Sequence, residues 1–136
     1  MSPEATSPDG TPEATVLVVD DEPAILELAR EALETRGLRV VVASSASEAL
    51  DCVERWPGPI DLLLIDVVMP DINGPELATR LRRRHPDAKL IFTSGYGLGA
   101  AAALRQSQTD AVYLTKPFGC DQLGREVDRL LTAVGA

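Results

Sequence analysis

Residues 62–70 have the sequence Leu-Leu-Leu-Ile-Asp-Val-Val-Met-Pro, and the fold follows from this stretch. A short apolar run, preceded by Gly58 and Pro59 and closed by Pro70, is typical of a strand buried on both faces of a parallel sheet. The first charged residue, Asp66, lies near the carboxyl end of this strand. Open α/β sheets bind ligands outside the carboxyl ends of their strands, so Asp66 is the candidate reacting residue.

Composition excludes several classes of protein. The chain has 136 residues, enough for one domain with a single core, and it contains no apolar run of membrane length. A net charge of −8 argues against binding to nucleic acid. No basic segment followed by an apolar one opens the chain, so we expect a soluble, cytoplasmic protein without a membrane span.

The acidic, proline-containing residues 1–14 offer almost nothing apolar to bury. We therefore expect a disordered tail there and a folded domain over residues 15–136.

Strand and helix patterns alternate along the domain. Besides the central run, strands are predicted at 15–20, 38–43, 88–93 and 111–115. Helices are predicted from Pro23 to before Gly37, after a capping box at 45–48, over about 74–84 with Asn73 as cap, near 100–107, and over the last stripe from Leu123 to Val134. A loop with three glycines, residues 94–99, precedes the fourth helix.

Strict alternation of strands and helices predicts an α/β fold with a parallel sheet and helices on both faces. Right-handed crossovers leave few strand orders. We expect the order 2-1-3-4-5, which is the flavodoxin-like doubly wound arrangement of five parallel strands.

Polar side chains follow four of the predicted strands. Asp20 and Asp21 follow the first strand, Asp66 the third, Ser94 the fourth and Lys116 the fifth. Three clustered carboxylates repel one another, and Mg²⁺ is a natural cation to neutralise them. The lysine and the serine would hold phosphate oxygens while Asp66 attacks phosphorus in line. The product of this reaction is an aspartyl phosphate.

Other interpretations of the same residues stay open at this point. Asp20 and Asp21 also suit an acidic cap on the first helix, and Lys116 also suits a solvated loop. The hydroxyl of Thr93, rather than that of Ser94, is the alternative group facing the site. His85 is expected to cap the end of the third helix. The arginine run between 80 and 84 is interpreted as a solvated helix face rather than a nucleic-acid contact.

Four strings of residues carry a resemblance to a known family. They are Val-Leu-Val-Val-Asp-Asp-Glu (16–22), Asp66 with Met-Pro-Asp (69–71) and Asn-Gly (73–74), Phe-Thr-Ser-Gly-Tyr (92–96) and Lys-Pro-Phe (116–118). In this order and at these spacings the chain resembles a response-regulator receiver domain of two-component signalling. The third string is most similar to receivers of hybrid sensor kinases.

The resemblance implies a phosphoacceptor site with its metal. A histidine kinase would phosphorylate Asp66, while Asp20, Asp21, Asp66 and the backbone carbonyl of Val68 would help to hold Mg²⁺. The Lys116-Pro117 peptide bond is expected to be cis.

The resemblance also implies a signalling switch rather than a turnover enzyme. Ser94 and Tyr113 would form the switch pair. The face made by the fourth helix, fifth strand and fifth helix would then contact a downstream protein or a second receiver. The phosphoryl donor would be a histidine kinase or a phosphotransfer protein. Val68 and Tyr96 differ from the residues common in the family and border the route of an attacking water, so they bear on the lifetime of the phosphoryl group.

Two rival functions are kept. An aspartyl-nucleophile phosphatase usually has its nucleophile on the first strand, whereas the candidate here is on the third; turnover of a free phosphate ester would separate the two. A degenerate receiver that serves only as an interaction module would lack Mg²⁺ binding.

Overall fold

The structure is a computed structural model that describes residues 14–95 and 111–135. The strands in this part of the chain are β1 (Thr15–Val19), β2 (Arg39–Ala43), β3 (Leu62–Asp66), β4 (Lys89–Ser94) and β5 (Val112–Thr115). The helices are α1 (Pro23–Glu34), α2 (Ala46–Arg55), α3 (Gly74–Arg82) and a C-terminal helix (Cys120–Gly135). The predicted glycine-rich loop beyond 95, Tyr96, the helix near 100–107 and nearly all of the tail lie outside the described residues.

The sheet is parallel and has the predicted order β2-β1-β3-β4-β5. Strand boundaries differ from the predicted ones by one residue at five ends, and at the end of β1 this is because Asp20 no longer pairs with β3. The register aligns Val19 with Ile65 and Asp66 with Thr93, so neighbouring strands end at the same level. The carboxyl ends of the strands therefore form a single edge.

The core lies on both faces of the sheet, as expected for a doubly wound fold. Alternate residues of β3 point to opposite faces: Leu63 and Ile65 pack with α2 and α3, whereas Leu62 and Leu64 pack with α1 and the C-terminal helix. All five residues of β3 are buried. This burial explains why the central run is continuously apolar up to Asp66.

Side-chain caps open two helices. The Ser45 hydroxyl accepts a hydrogen bond from the Glu48 amide at 3.1 Å, as the capping-box spacing predicts. In a capping box the Glu48 carboxylate would in turn accept from the Ser45 amide. Here it accepts from the amide of Ser44 at 2.8 Å. Asn73 caps α3 by accepting from the Glu76 amide at 2.8 Å.

The end of α3 differs from the prediction. The His85 imidazole does not cap the helix: its Nδ1 accepts a hydrogen bond from the amide of Ile60 at 3.3 Å. Arg82 instead reaches the Ala88 carbonyl (2.7 Å). The His85 amide still belongs to the last helical turn, since it donates to the Leu81 carbonyl at 3.2 Å, but the imidazole is directed to the loop before β3.

Two more arginines of this run have partners within the domain. Arg80 pairs with Glu76 at 2.6 Å, and Arg84 pairs with Glu54 of α2. No helix in the described part of the chain is long and apolar enough to cross a membrane.

Gly124 lies inside the C-terminal helix and has a packing role. A Cβ at this position would overlap the guanidinium of Arg36, which crosses the helix here and pairs with Asp128. The glycine therefore admits an ion pair that joins the end of α1 to the C-terminal helix.

Candidate functional site

Backbone pairing sets three charged residues side by side at the carboxyl edge of the sheet. The amide of Asp20 donates to the Ala43 carbonyl at 3.1 Å, which extends the β1–β2 ladder by one residue. The amide of Lys116 donates to the Ser94 carbonyl at 2.8 Å, which extends the β4–β5 ladder in the same way. Asp66 lies between them at the end of β3.

Lys116 is the centre of the charged cluster. Its Nζ lies 3.0 Å from Asp66 Oδ2, 2.9 Å from Asp20 Oδ2 and 2.8 Å from Glu22 Oε1. Only 12% of its side chain is exposed. Burial lowers the pKa of Lys116, but the hydrogen bonds and charges of these three carboxylates outweigh burial and hold that pKa above its usual value. The lysine is therefore a fixed positive charge and not a solvated loop residue.

Asp20 is the most deeply buried carboxylate of the cluster, with 2% of its side chain exposed. Its Oδ1 accepts from the amide of Glu22 at 2.9 Å, which holds the turn into α1. Its Oδ2 is buried and accepts no well-directed hydrogen bond from the described residues, because the contact with Lys116 has the distance of an ion pair without hydrogen-bond alignment. Burial raises the pKa of Asp20, against the opposing effects of the Glu22 amide and Lys116.

The carboxylates of Asp20, Asp21 and Asp66 form a group that suits a divalent cation. One oxygen from each lies within 4.8 Å of the others. With Glu22, which contacts the same lysine as Asp20 and Asp66, the cluster contains four carboxylates and one ammonium group, so it carries an excess of negative charge. The unsatisfied Asp20 oxygen and the all-oxygen ligand set fit Mg²⁺, which prefers carboxylate oxygens and keeps several waters. The residues present thus match the predicted metal.

The loop after β3 orients the Asp66 carboxylate. Asp66 Oδ1 accepts from the amide of Val68 at 3.0 Å, and the amide of Val67 bonds to the Thr93 carbonyl at 2.9 Å. Gly74 packs directly on this loop: a Cβ there would lie 2.8 Å from the carbonyl oxygen of Asp66 and 2.9 Å from Val67 Cα. The side chain of Val68 is 52% exposed beside the site.

The predicted hydroxyl and switch residues lie on the neighbouring strands. Ser94 and Thr93 are both buried at the end of β4, where Thr93 pairs with Asp66 and Ser94 with Thr115. The structure therefore brings both hydroxyl residues to the edge, and the choice of Ser94 stays a prediction. Tyr113 lies further back on its strand, half-buried and stacked on Phe92 with ring centroids 5.8 Å apart. The Lys116-Pro117 bond is cis, as the resemblance implied.

Two contributors were missed at the level of sequence. Glu22 bonds directly to Lys116, and the only sequence signal was a third acid after the pair Asp20-Asp21. Asp71 accepts hydrogen bonds from the amides of Ala46 (3.4 Å) and Ser47 (3.2 Å), so it ties the loop after β3 to the start of α2. Burial raises the pKa of Asp71, and these backbone amides lower it to below its usual value. Its pairing with α2 depends on tertiary structure and has no local signal.

Comparison with known proteins places this geometry in a family. The model of the response regulator receiver domain matches residues 16–128. The sensor kinase CckA of Brucella abortus (strain 2308) is 42% identical over 118 residues, which are 87% of this chain and 12% of that protein. The response regulator receiver protein CpdR of the same strain is 31% identical over 118 residues, covering 87% of this chain and 97% of that protein. The chain thus spans a small part of one relative and nearly all of the other.

Solved structures agree. The crystal structure of the receiver domain from the hybrid histidine kinase CckA is 35% identical and superposes with a TM-score of 0.74 over 87% of this chain and 99% of that one. The predicted similarity to receivers of hybrid sensor kinases is therefore confirmed. The acidic edge of this chain, its strand order and its cis peptide bond agree with these comparisons. Together with the matched family model, they show that this chain belongs to the response regulator receiver domains of two-component signalling.

Proposed function

We propose that this receiver accepts a phosphoryl group on Asp66 and acts as a switch. The observation that carries the proposal is the shared contact of one buried lysine with the carboxylates of Asp66 and Asp20 at 3.0 and 2.9 Å. An uncompensated cluster of acids would be costly to keep ionised, so the arrangement makes sense as a preformed site for an anion and a cation.

Asp66 is the nucleophile of the proposed reaction. The Val68 amide and the Lys116 ammonium group fix its carboxylate in one orientation. A carboxylate oxygen forms a bond to phosphorus, and the bond from phosphorus to the histidine nitrogen of a kinase or phosphotransfer protein breaks. The electron pair of the broken bond leaves with that nitrogen. The lysine then donates to a phosphoryl oxygen, and its charge offsets the charge that the group brings.

Mg²⁺ would neutralise phosphoryl oxygens when bound. Asp20, Asp21, Asp66 and the Val68 carbonyl would hold it. The chain's own residues contribute the acidic ligand set and exclude bulk water from one side, since Asp20 is buried.

Output is proposed to pass through the face that includes β5 and the C-terminal helix. A phosphoryl group near β4 adds acceptors that the Ser94 hydroxyl can reach by turning, and Tyr113 packs in the same layer through Phe92. The partners proposed are a histidine kinase or phosphotransfer protein on one side and a downstream protein or second receiver on the other.

The proposal is tested by incubating the protein with acetyl phosphate and measuring its intact mass. One phosphoryl adduct is expected in Mg²⁺ and none in EDTA. Asp66→Asn should give no adduct, whereas the matched variant Asp61→Asn, at the other end of β3, should keep it. An adduct in Asp66→Asn would contradict the proposal. No adduct in any sample would favour the interaction module, and continuous release of phosphate from a nitrophenyl ester would favour a phosphatase.

The switch has its own test. With beryllofluoride and Mg²⁺, amide NMR signals near Asp66 and those of Tyr113 should both shift in the wild type. Ser94→Ala should keep the shifts near Asp66 and lose most of those at Tyr113. If Tyr113 shifts equally in Ser94→Ala, the proposed route through the serine is wrong. Thr93→Ala is the companion variant, since the opposite pattern would assign the role to Thr93.

A further inference from the structure

The side chain of Glu22 contacts Lys116, although neither its position before α1 nor the phosphoacceptor chemistry requires this contact. It is the residue before α1 and has the backbone conformation of an N-cap, yet it makes no side-chain cap hydrogen bond. Its carboxylate instead accepts a hydrogen bond from Lys116 Nζ at 2.8 Å. Glu22 thus directs its charge to the lysine and leaves the start of the helix without a side-chain cap.

The ammonium group of Lys116 is saturated in this arrangement. A lysine has three N–H donors and no acceptor. Two donors form hydrogen bonds to Glu22 and Asp66, and the third faces Asp20 at ion-pair distance. A phosphoryl oxygen on Asp66 needs a donor from the same group, so one of the three carboxylates has to give way.

Exposure decides which carboxylate leaves. The side chain of Glu22 is 58% exposed, so water can replace the lysine as its partner at little cost. Asp20 is buried, and losing its cation would leave a charge without water or partner. Asp66 loses its charge when it is phosphorylated, and its lysine donor passes to the phosphoryl group. That group brings several charged oxygens, so it draws a further donor of Lys116, and the exposed Glu22 is the partner that gives it up.

We propose that Glu22 is the exchangeable partner of Lys116: it holds the ammonium group in the unphosphorylated protein, and a phosphoryl oxygen on Asp66 takes its place. Glu22 is therefore a positioning residue that competes with the phosphoryl group for the lysine. This inference rests on the proposed phosphorylation of Asp66. It predicts that removing the Glu22 side chain leaves a donor of Lys116 ready and accelerates phosphorylation.

The composition of the chain offers a direct probe, because Lys116 and Lys89 are its only lysines. Lysine labelled with carbon-13 at Cε therefore gives two NMR signals. Lys89 opens β4 at the other edge of the sheet and serves as the internal reference. Spectra of the full chain are recorded for wild type and Glu22→Ala, first in Mg²⁺ alone and then with beryllofluoride as the phosphoryl mimic.

The Lys116 signal is expected to differ between wild type and Glu22→Ala in Mg²⁺ alone and to coincide once beryllofluoride is bound. Identical signals in the first condition would show that Glu22 is not a partner of the lysine. A difference that persists unchanged with beryllofluoride would show that Glu22 is never displaced. Either result overturns the inference. Glu27→Ala, an exposed acid further along α1, is the control for net charge and should match wild type in both conditions.

Kinetics provide the second readout. Glu22→Ala should be phosphorylated by acetyl phosphate about two- to fivefold faster than wild type, the factor expected for release of one partly exposed ion pair. Glu22→Asp keeps the charge but has a shorter side chain that suits the N-cap of α1, so it should also be faster. Glu22→Asp could instead alter the Lys116 signal and yet be phosphorylated at the wild-type rate. That result would overturn the inference, because repulsion of the phosphodonor, and not competition for the lysine, would then set the rate.

Failure of this inference is separable from failure of the proposed function. If wild type gains an Asp66-dependent adduct while Glu22→Ala gains it no faster, only the exchange is wrong. If wild type gains no adduct, phosphoacceptance itself is wrong.

Discussion

Asp61 and Asp66 flank the same strand, one immediately before β3 and the other at its end, and the structure uses them in different ways. Asp61 Oδ2 accepts a hydrogen bond from the backbone amide of Thr15 at 2.8 Å, so its carboxylate joins two strands. Asp66 lies among other acids and shares a lysine with them. The first carboxylate accepts from the backbone, whereas the second shares the ammonium group of Lys116 with two other acids.

The two lysines show the same contrast. Lys89 opens β4 at the amino edge of the sheet, where a pocket of about 800 Å³ lies beside its neighbours Asp87 and Ala88. Two arginines that line that pocket form ion pairs, Arg36 with Asp128 and Arg84 with Glu54. Lys116 lies at the carboxyl edge within 3.0 Å of three carboxylates. Charged residues alone therefore do not mark a functional site. The candidate site is the edge where the fold leaves an excess of charge that a ligand can balance.

The largest difference between the edges is expected from the lysines. Lys116→Ala should lower the free energy of unfolding by about 3 kcal/mol in EDTA, because it leaves buried acids without their cation. Mg²⁺ should restore part of that loss. Lys89→Ala should change stability by no more than about 0.5 kcal/mol. Urea unfolding with and without Mg²⁺ measures both; equal losses in the two variants would remove the contrast.

A smaller effect is expected at Gly74, whose α-carbon packs on the loop after Asp66. Gly74→Ala would place a methyl group 2.8 Å from the Asp66 carbonyl oxygen, so the loop has to shift. We expect a loss of about 1–3 kcal/mol and slower phosphorylation by acetyl phosphate. Gly58→Ala, where a Cβ would meet only the Trp56 indole nitrogen at 3.8 Å, is the control. Unchanged stability and rate in Gly74→Ala would show that the loop position is not important.

The smallest effect concerns the pH dependence of stability without metal. The folded pKa of Asp20 is raised from its usual 3.8 by burial, so ionising Asp20 costs stability above that pH. Asp20→Asn should therefore be more stable than wild type at pH 7 in EDTA, and this advantage should vanish as the pH falls to 3.8. Asp87→Asn, an exposed acid at the amino edge, should show no such trend. An advantage for Asp20→Asn that does not depend on pH would contradict the electrostatic cause.

The sheet and the main site could be predicted because local patterns determine them. A continuous apolar run marks β3, and polar residues follow the ends of the strands, which parallel topology brings together. Glu22 could not be assigned, because it lies past the end of β1, in the turn before α1, where strand pairing no longer determines which residues meet. The hydrogen bonds of Asp71 to the start of α2 and of His85 to Ile60 were not predicted for the same reason.

The central claim is that Asp66, and no other carboxylate of β3 and its flanking loops, accepts the phosphoryl group. Asp61, Asp66 and Asp71 lie on one tryptic peptide, residues 56–80, between Arg55 and Arg80. Borohydride reduces an acyl phosphate to the alcohol, which marks the modified aspartate permanently. After treatment with acetyl phosphate and Mg²⁺, fragment masses of this peptide should place the reduced residue at position 66. Reduction at position 61 or 71, or on another peptide, would contradict the account.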